Sequence, residues 1–225
     1  MSEFLAFGPL PAVLQCRKDK SMGDVNPLPF ALLLGNGMGW VIYGAATKNF
    51  FVFAGNIGAV GASLFYLLTA HTLTSSEKIR IQLEIIAVFF VLMWGIVGFT
   101  AAMMEDHQQS ISIIGILGNV VVFFLFASPL STFSKVIRTK NSSSINRPFA
   151  VCQVLNCIVW VAYGTATKDF YLALPNVFGL ILGFAQVFLI LRYSALPDAV
   201  GSAGEGAKPE YASFDGLGQE SDDHK

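Results

Sequence analysis

The sequence predicts an all-α membrane protein with seven transmembrane helices arranged three plus one plus three, two parallel triple-helix repeats joined by a linker helix. Three observations predict it: six apolar runs of spanning length, a one-sided distribution of Lys and Arg, and self-similarity at a shift of 120 positions (Trp40 to Trp160). With 54% apolar and 13% charged residues, the chain is too apolar for an ordinary soluble domain; its net charge of -1 is uninformative about partners, and no nucleic-acid partner is expected. The charges fall between the apolar runs, as expected where an unpaired charge in hydrocarbon costs several kcal/mol.

Runs long enough to cross a bilayer, about 17 to 25 residues, are Phe30 to Ala46, Phe50 to Ala70, Ile81 to Met104, Ile111 to Phe133, Phe149 to Ala166 and Phe170 to Leu191. A seventh, Phe4 to about Gln15, is short. Met1 to Phe7 lack the basic segment of a secretory signal, so the N-terminus is expected to belong to the mature chain. Gly35-Asn36-Gly37-Met38-Gly39 superficially resembles a nucleotide loop, but no strand precedes it and an apolar helix surrounds it, so close helix packing is expected there. Cys16, Cys152 and Cys157 form no disulfide framework and read as small apolar residues.

Cytoplasmic loops carry the excess of Lys and Arg. Seven crossings place Arg17, Lys18, Lys20, Lys78, Arg80, Lys135, Arg138, Lys140, Arg147 and Arg192 on one side, with the tail lysines 208 and 225, and only Lys48 and Lys168 on the other. The N-terminus is therefore expected outside and the C-terminus in the cytosol, with the plasma membrane as the expected location. Asn141-Ser142-Ser143 matches a glycosylation acceptor but would face the cytosol, and reads as a chance match.

Sliding the chain against itself aligns Gly8-Pro9-Leu10 with Ser128-Pro129-Leu130, Lys20 with Lys140, Asn36 with Asn156, and Trp40-Val41-Ile42-Tyr43-Gly44 with Trp160-Val161-Ala162-Tyr163-Gly164. Ala46-Thr47-Lys48, Phe50 and Asn56 align with Ala166-Thr167-Lys168, Phe170 and Asn176. Each copy holds three helices, so a direct fusion would invert one copy. The run from Ile81 to Met104 restores the orientation. The expected units are 1-72, 80-104, 110-193 and a disordered cytosolic tail, 194-225. Eight residues stand before Pro9, against about eighteen from Ile111 to Pro129, so the first helix reads as N-terminally truncated.

Ser128-Pro129-Leu130, the stretch Leu155 to Gly164, and Leu174-Pro175-Asn176-Val177-Phe178-Gly179 resemble the signature of the eukaryotic SWEET sugar transporters, over about residues 5 to 193. The resemblance implies a passive, bidirectional sugar uniporter that works by alternating access in the lipid bilayer, and homo-oligomers for some members. It also implies gating by Pro9, Pro29, Pro129 and Pro148, with Tyr43, Tyr163 and Asp169 closing an outer gate and Lys48 a plausible partner for Asp169. Pro27 competes with Pro29, and Pro29 and Pro148 also suit a first helical turn.

Beside the resemblance, the residues themselves point to a neutral polyhydroxylated ligand. At 1.5 Å per residue, Trp40 and Trp160 lie roughly 3 to 4 Å, and Asn56 and Asn176 roughly 6 to 7 Å, to the same side of their helix centres. A carboxamide donates and accepts as hydroxyls do, and an indole face packs on the C-H face of a pyranose. Two opposed tryptophans leave a slot about one ring wide, which favours a glucose-like monosaccharide. Asn36, Asn119 and Asn156 are expected to bond between helices. No Asp, Lys, Arg or His lies mid-span, and Glu84 is a turn inside the linker, so coupling to an ion is not expected. No cofactor, metal or enzymatic role is expected, and His71, His107 and His224 lack metal-ligand spacing. An amino-acid transporter of the PQ-loop type would carry Pro-Gln where Pro-Leu stands, a seven-helix receptor would lack the repeat, and an intramembrane enzyme would need a polar catalytic pair.

Overall fold

Four polar side chains fix where helices begin. Asn49, Ser76, Asp106 and Asp169 each accept a hydrogen bond from the backbone N-H three residues on, the ordinary N-cap arrangement. The computed structural model describes residues 6-23, 25-145 and 147-193, without the side chains of 127-129, 148 and 149. The tail that reads as disordered lies outside the described residues.

The described helices are α1 (Leu10–Asp19), α2 (Leu28–Ala46), α3 (Phe50–Leu73), α4 (Glu77–Met103), α5 (His107–Leu125), α6 (Ala127–Thr139), α7 (Arg147–Ala166) and α8 (Phe170–Arg192). Helices α5 and α6 are one span interrupted at Phe126, so the chain makes seven helices in the order three, one, three. The interruption has a simple cause. Proline at 129 has no N-H to give the carbonyl of Leu125, and α5 ends there. Helices α2, α3, α4, α5 with α6, and α8 are long and apolar enough to cross a membrane. Helix α1, ten residues long, is shorter than a span.

Within the first repeat α3 lies between α1 and α2, and within the second α8 lies between the α5/α6 span and α7. The packing order therefore repeats, as the sequence repeats. The two units meet mainly along α2 and α5. Lys20, Lys48, Lys140 and Lys168 all adopt left-handed backbone at helix ends, again in pairs 120 positions apart.

The linker α4 has three buried side chains among its described residues, Leu83, Phe90 and Trp94, flanked by partly buried Ile79, Ile86, Met93 and Val97, and its remaining face is exposed. Phe90 fills the space where Gly35 of α2 has no Cβ, and Trp94 does the same at Gly39. The Trp94 indole N-H also donates to the Gly35 carbonyl at 2.8 Å. In the second repeat the matching positions are Leu155 and Val159, which are 47% and 45% exposed. The glycine pair thus marks the face on which the linker docks, and its absence marks the face it leaves alone. This explains the Gly35-to-Gly39 stretch as packing.

Replacing Gly39 with Leu is expected to push Trp94 out of its notch and lower the apparent melting temperature in detergent by about 4 to 10 °C, as overpacking by roughly 1 to 3 kcal/mol does. Val159→Leu, at the matching outward position, should leave it within about 1 °C.

Candidate functional site: a crossed latch above a layer of tryptophan and asparagine

At the C-terminal ends of α2 and α7 each repeat reaches into the other. The Tyr43 hydroxyl donates to Asp169 Oδ1 at 2.7 Å, and the Tyr163 hydroxyl donates to Asn49 Oδ1 at 3.0 Å. Both acceptors are also helix caps: Asp169 Oδ1 accepts from Leu172 N at 3.0 Å and Asn49 Oδ1 from Val52 N at 3.2 Å. The two latches are the same construction written twice. Tyr43 with Tyr163, and Asn49 with Asp169, stand 120 positions apart.

Around them each helix end is closed in the same manner. Thr47 and Thr167 donate their hydroxyls to the carbonyls of Tyr43 and Tyr163, at 2.8 and 2.9 Å, and the N-H groups of Asn49 and Asp169 reach the carbonyls of Gly44 and Gly164, both at 2.8 Å. Gly44 and Gly164 are needed here, because a Cβ on either would run into the backbone of α3 or α8 at Phe53 or Ala173. Lys48 is not the partner of Asp169. It is exposed in its left-handed turn, and the carboxylate takes the Tyr43 hydroxyl instead. Asn49 was not among the residues singled out from the sequence: the repeat sets it opposite Asp169, but an Asn opposite an Asp does not stand out as a repeated residue.

Below the latch, Trp40 and Tyr43 are buried together with Val52 and Leu172, and Trp160 and Tyr163 pack against the same cluster. The tryptophans sit edge-on to the tyrosines one turn later, with ring centres 5.5 Å apart for Trp40 and Tyr43 and 5.9 Å for Trp160 and Tyr163. Asn56 and Asn176, both half-buried, donate to the carbonyls of Val52 and Leu172 at 2.8 Å. Among the described residues neither asparagine Oδ1 has a hydrogen-bond partner, so each carboxamide keeps its acceptor and one N-H. Of the four residues expected in one layer, Trp40 and Trp160 belong to this cluster, and Asn56 and Asn176 follow one turn after its members Val52 and Leu172 on α3 and α8.

The other intramembrane asparagines divide. Asn36 Oδ1 accepts from the Trp40 indole N-H at 3.2 Å, within its own helix, and so sets the indole's orientation. Asn156 is buried and its Oδ1 has no partner among the described residues. Only Asn119 bonds between helices, donating to Gly115 O at 2.8 Å and across to Tyr171 O at 3.0 Å. The second bond answers a specific need. Pro175, inside α8, has no N-H for the carbonyl of Tyr171, and Asn119 of α5 supplies one.

The prolines do not act alike. Pro29 is in the first turn of α2, where no backbone bond is lost, and Pro148 is in register to do the same in α7. Pro9 is buried and caps α1. The side chains of Pro129 and Pro148 lie outside the described ones. Among the described helices, the backbones of α1 and α6 come close only to helices of their own repeat, and α7 reaches the first repeat through the side chains of Trp160 and Tyr163 at its C-terminal end. The repeats are therefore laced at the tyrosine end.

A membrane-spanning pair of parallel three-helix repeats, laced at one end over a shared aromatic cluster, is the architecture of a repeat-built transporter. Two stretches, residues 1–78 and 112–197, match the profile of a family described as sugar efflux transporters for intercellular exchange. The chain belongs to this family, the SWEETs. It is 30% identical over 189 residues to the sugar transporter SWEET1 of Drosophila pseudoobscura pseudoobscura, covering 82% of each chain. It is also 30% identical over 202 residues to the bidirectional sugar transporter SWEET14 of Arabidopsis thaliana, covering 86% of this chain and 71% of that one. In fold it matches a eukaryotic SWEET transporter structure with a TM-score of 0.79 at 24% identity, over 86% of this chain and 93% of the other.

Because Asn119 substitutes for the N-H that Pro175 lacks, Asn119→Leu should cost about 1 to 3 kcal/mol by leaving the Tyr171 carbonyl unpaired. In a Pro175→Ala background, where the restored backbone N-H can donate to that carbonyl, the same change should cost clearly less. Strictly additive losses across this double-mutant cycle would refute the compensation.

Proposed function

We propose that this chain is a passive, bidirectional uniporter of a small neutral sugar, gripped between Trp40 and Trp160 and hydrogen-bonded by Asn56 and Asn176. What supports the reading is the symmetry of these positions: two indoles in one cluster beneath a latch that joins the repeats, and two carboxamides with unengaged Oδ1 atoms one turn further along α3 and α8. Family membership supports a sugar as the class of substrate. A pyranose offers what the layer can take: C-H faces for the indoles and hydroxyls that both donate and accept for the amides.

In this reading the described conformation is closed on the latch side, with Tyr43, Tyr163, Asn49 and Asp169 as the gate. The proline-bearing ends, with Pro9, Pro29, Pro129 and Pro148, form the gate on the opposite side. Transport alternates between the two. Among the described residues no Asp, Glu, Lys, Arg or His stands at the depth of the tryptophans, and Glu84 is paired with His71 at 2.7 Å near the end of α4. Movement is therefore uncoupled and electroneutral. The ligand is a monosaccharide such as glucose, because Trp40 is buried and bulky on one side and Trp160 stands opposite in the other repeat. The units of the machine are 1–72, 80–104 and 110–193, with 194–225 as the cytosolic tail, in a plasma-membrane setting with the N-terminus outside.

Radiolabelled glucose uptake in cells lacking their own sugar transporters tests the site. Asn56→Ala and Asn176→Ala should each reduce uptake at least tenfold at equal surface expression, the equivalent of losing about 1 to 3 kcal/mol at each unpaired sugar hydroxyl. Near-normal uptake by either places the site elsewhere. In the same assay wild type should carry glucose well ahead of sucrose, and Trp40→Ser should narrow the gap; equal rates in wild type would refute the steric argument.

Orientation is tested separately. An epitope after Lys225 should stain only after permeabilisation, because ten of the twelve membrane-proximal Lys and Arg share the side of the C-terminus. Staining of intact cells would reverse the assignment of the gates.

A further inference from the structure

The two repeats differ at their basic ends in a way the repeat does not require. In the first repeat and the linker, Arg17, Lys18, Lys20, Lys78 and Arg80 are interleaved in sequence with Asp19, Glu77 and Glu84. In the second, Arg138, Lys140, Arg147 and Arg192 at the helix ends have no neighbouring carboxylate in the sequence: no Asp or Glu occurs between Asp106 and Asp169, or between Asp169 and Asp198, and Asp106 and Asp169 are at the opposite ends of their helices. Among the described residues none of these four cations makes an ion pair. Membrane orientation counts cations only, so it is satisfied as well by the mixed surface of the first repeat.

Helix dipoles do not account for the cluster either. Arg138, Lys140 and Arg192 are at the carbonyl ends of α6 and α8, where a cation is favoured, but Arg147 opens α7, where an anion is favoured. Two of the cations share one ring: Lys140 Nζ is 3.2 Å from the Tyr193 hydroxyl and 5.0 Å from its ring centre, and the Arg192 guanidinium is 5.3 Å from the same centre. The Tyr193 ring and hydroxyl hold the two charges side by side, and among the described residues no carboxylate pairs with either.

The loop that joins α6 to α7 adds donors. Ser143 N-H turns onto Asn141 Oδ1 at 2.9 Å and Ile145 N-H onto Ser142 O at 3.0 Å, folding the Ser142 side chain inward to 1% exposure. The hydroxyls of Ser142 and Ser144 are buried without a partner among the described residues. In register with Lys20 and Lys140, the first repeat has Met22 and Asp24 at these two places. Met22 is a buried core residue there. In place of an apolar and an acidic side chain the second repeat thus has two hydroxyls without a partner among the described residues, two and four positions after Lys140.

We propose that this end of the second repeat binds a phosphate monoester, the group borne by the headgroup of a phosphorylated inositol lipid. Such a group carries close to two negative charges and three acceptor oxygens, which matches Lys140, Arg192 and Arg147 with the two serine hydroxyls better than the single charge of a diester does. The proposal is independent of what the chain transports.

Native mass spectrometry of the full-length protein in detergent, offered phosphatidylinositol or its 4-phosphate at equal concentration, tests it. Retention of the 4-phosphate should exceed that of phosphatidylinositol at least fivefold. Lys140→Gln with Arg192→Gln should abolish the difference, while Arg17→Gln with Lys20→Gln should leave it within twofold. Ser142→Ala with Ser144→Ala, which touches no charge, should reduce it about threefold, and Arg192→Lys should restore most of it, so a misfolded double variant does not decide the matter. Full displacement by equimolar inositol 1,4-bisphosphate would assign the site to a soluble phosphate, and resistance to it would assign the site to the lipid. Equal retention of the two lipids, or equal loss in both cation pairs, overturns the proposal. So does 4-phosphate retention that appears only after Glu220→Gln, Asp222→Asn and Asp223→Asn, for then the chain's own acidic tail is the occupant.

Discussion

Hydrocarbon supplies no hydrogen bonds, so every backbone carbonyl that a helix break sets free must find a donor inside the protein. Much of this structure follows from that constraint. Pro175 frees the carbonyl of Tyr171, and Asn119 crosses from α5 to take it. The turn ahead of α1 leaves the carbonyl of Ala6 open, and the Tyr66 hydroxyl of α3 donates to it at 3.0 Å. At the ends of α2 and α7, threonine hydroxyls and the N-H groups of the next caps take the last carbonyls. Each irregularity in one helix is thereby answered by a neighbour, and the answers tie the helices together. Inter-helix bonds that look like decoration are the condition on which the breaks exist.

The repeat shows where this molecule can differ from itself. One glycine pair, Gly35 and Gly39, receives Phe90 and Trp94 of the linker, while Leu155 and Val159 at the matching positions face outward. Sequence symmetry is broken because a single linker can dock on only one copy. At the latch the break is chemical: Asn49 in one copy, Asp169 in the other, each holding a tyrosine of the opposite repeat. The geometry survives the exchange because an amide oxygen and a carboxylate oxygen accept alike. At the loops after Lys20 and Lys140 the copies diverge in charge and burial together.

Much of the fold was legible in the sequence, since apolar length, basic asymmetry and a 120-position repeat are each set by the bilayer or by gene-level duplication, and none needs three-dimensional information. Trp40, Trp160, Tyr43, Tyr163 and Asp169 could be picked out because both copies or the family signature display them. The rest depends on contacts between distant residues. Nothing in the spacing of Asn119 and Pro175 says that one completes the backbone of the other. A search for the partner of Asp169 looks for a cation and finds Lys48, because Coulomb attraction is visible in a sequence and the direction of a left-handed turn is not. The break at Phe126 was not placed because Pro129 acts at a distance, on the carbonyl four residues before it, inside a run from Ile111 to Phe133 that is otherwise long and apolar enough for one span.

The double duty of Asn49 Oδ1 and Asp169 Oδ1 has a kinetic consequence. Each oxygen holds its own helix start and the tyrosine of the other repeat through separate donors. When a tyrosine leaves, the cap remains, and water arriving at the parting surface can replace the one hydroxyl that was lost. In the proposed cycle, parting the repeats at this end is therefore a side-chain event with no helix turn to unravel and none to rebuild, because the capped starts of α3 and α8 do not depend on the tyrosines.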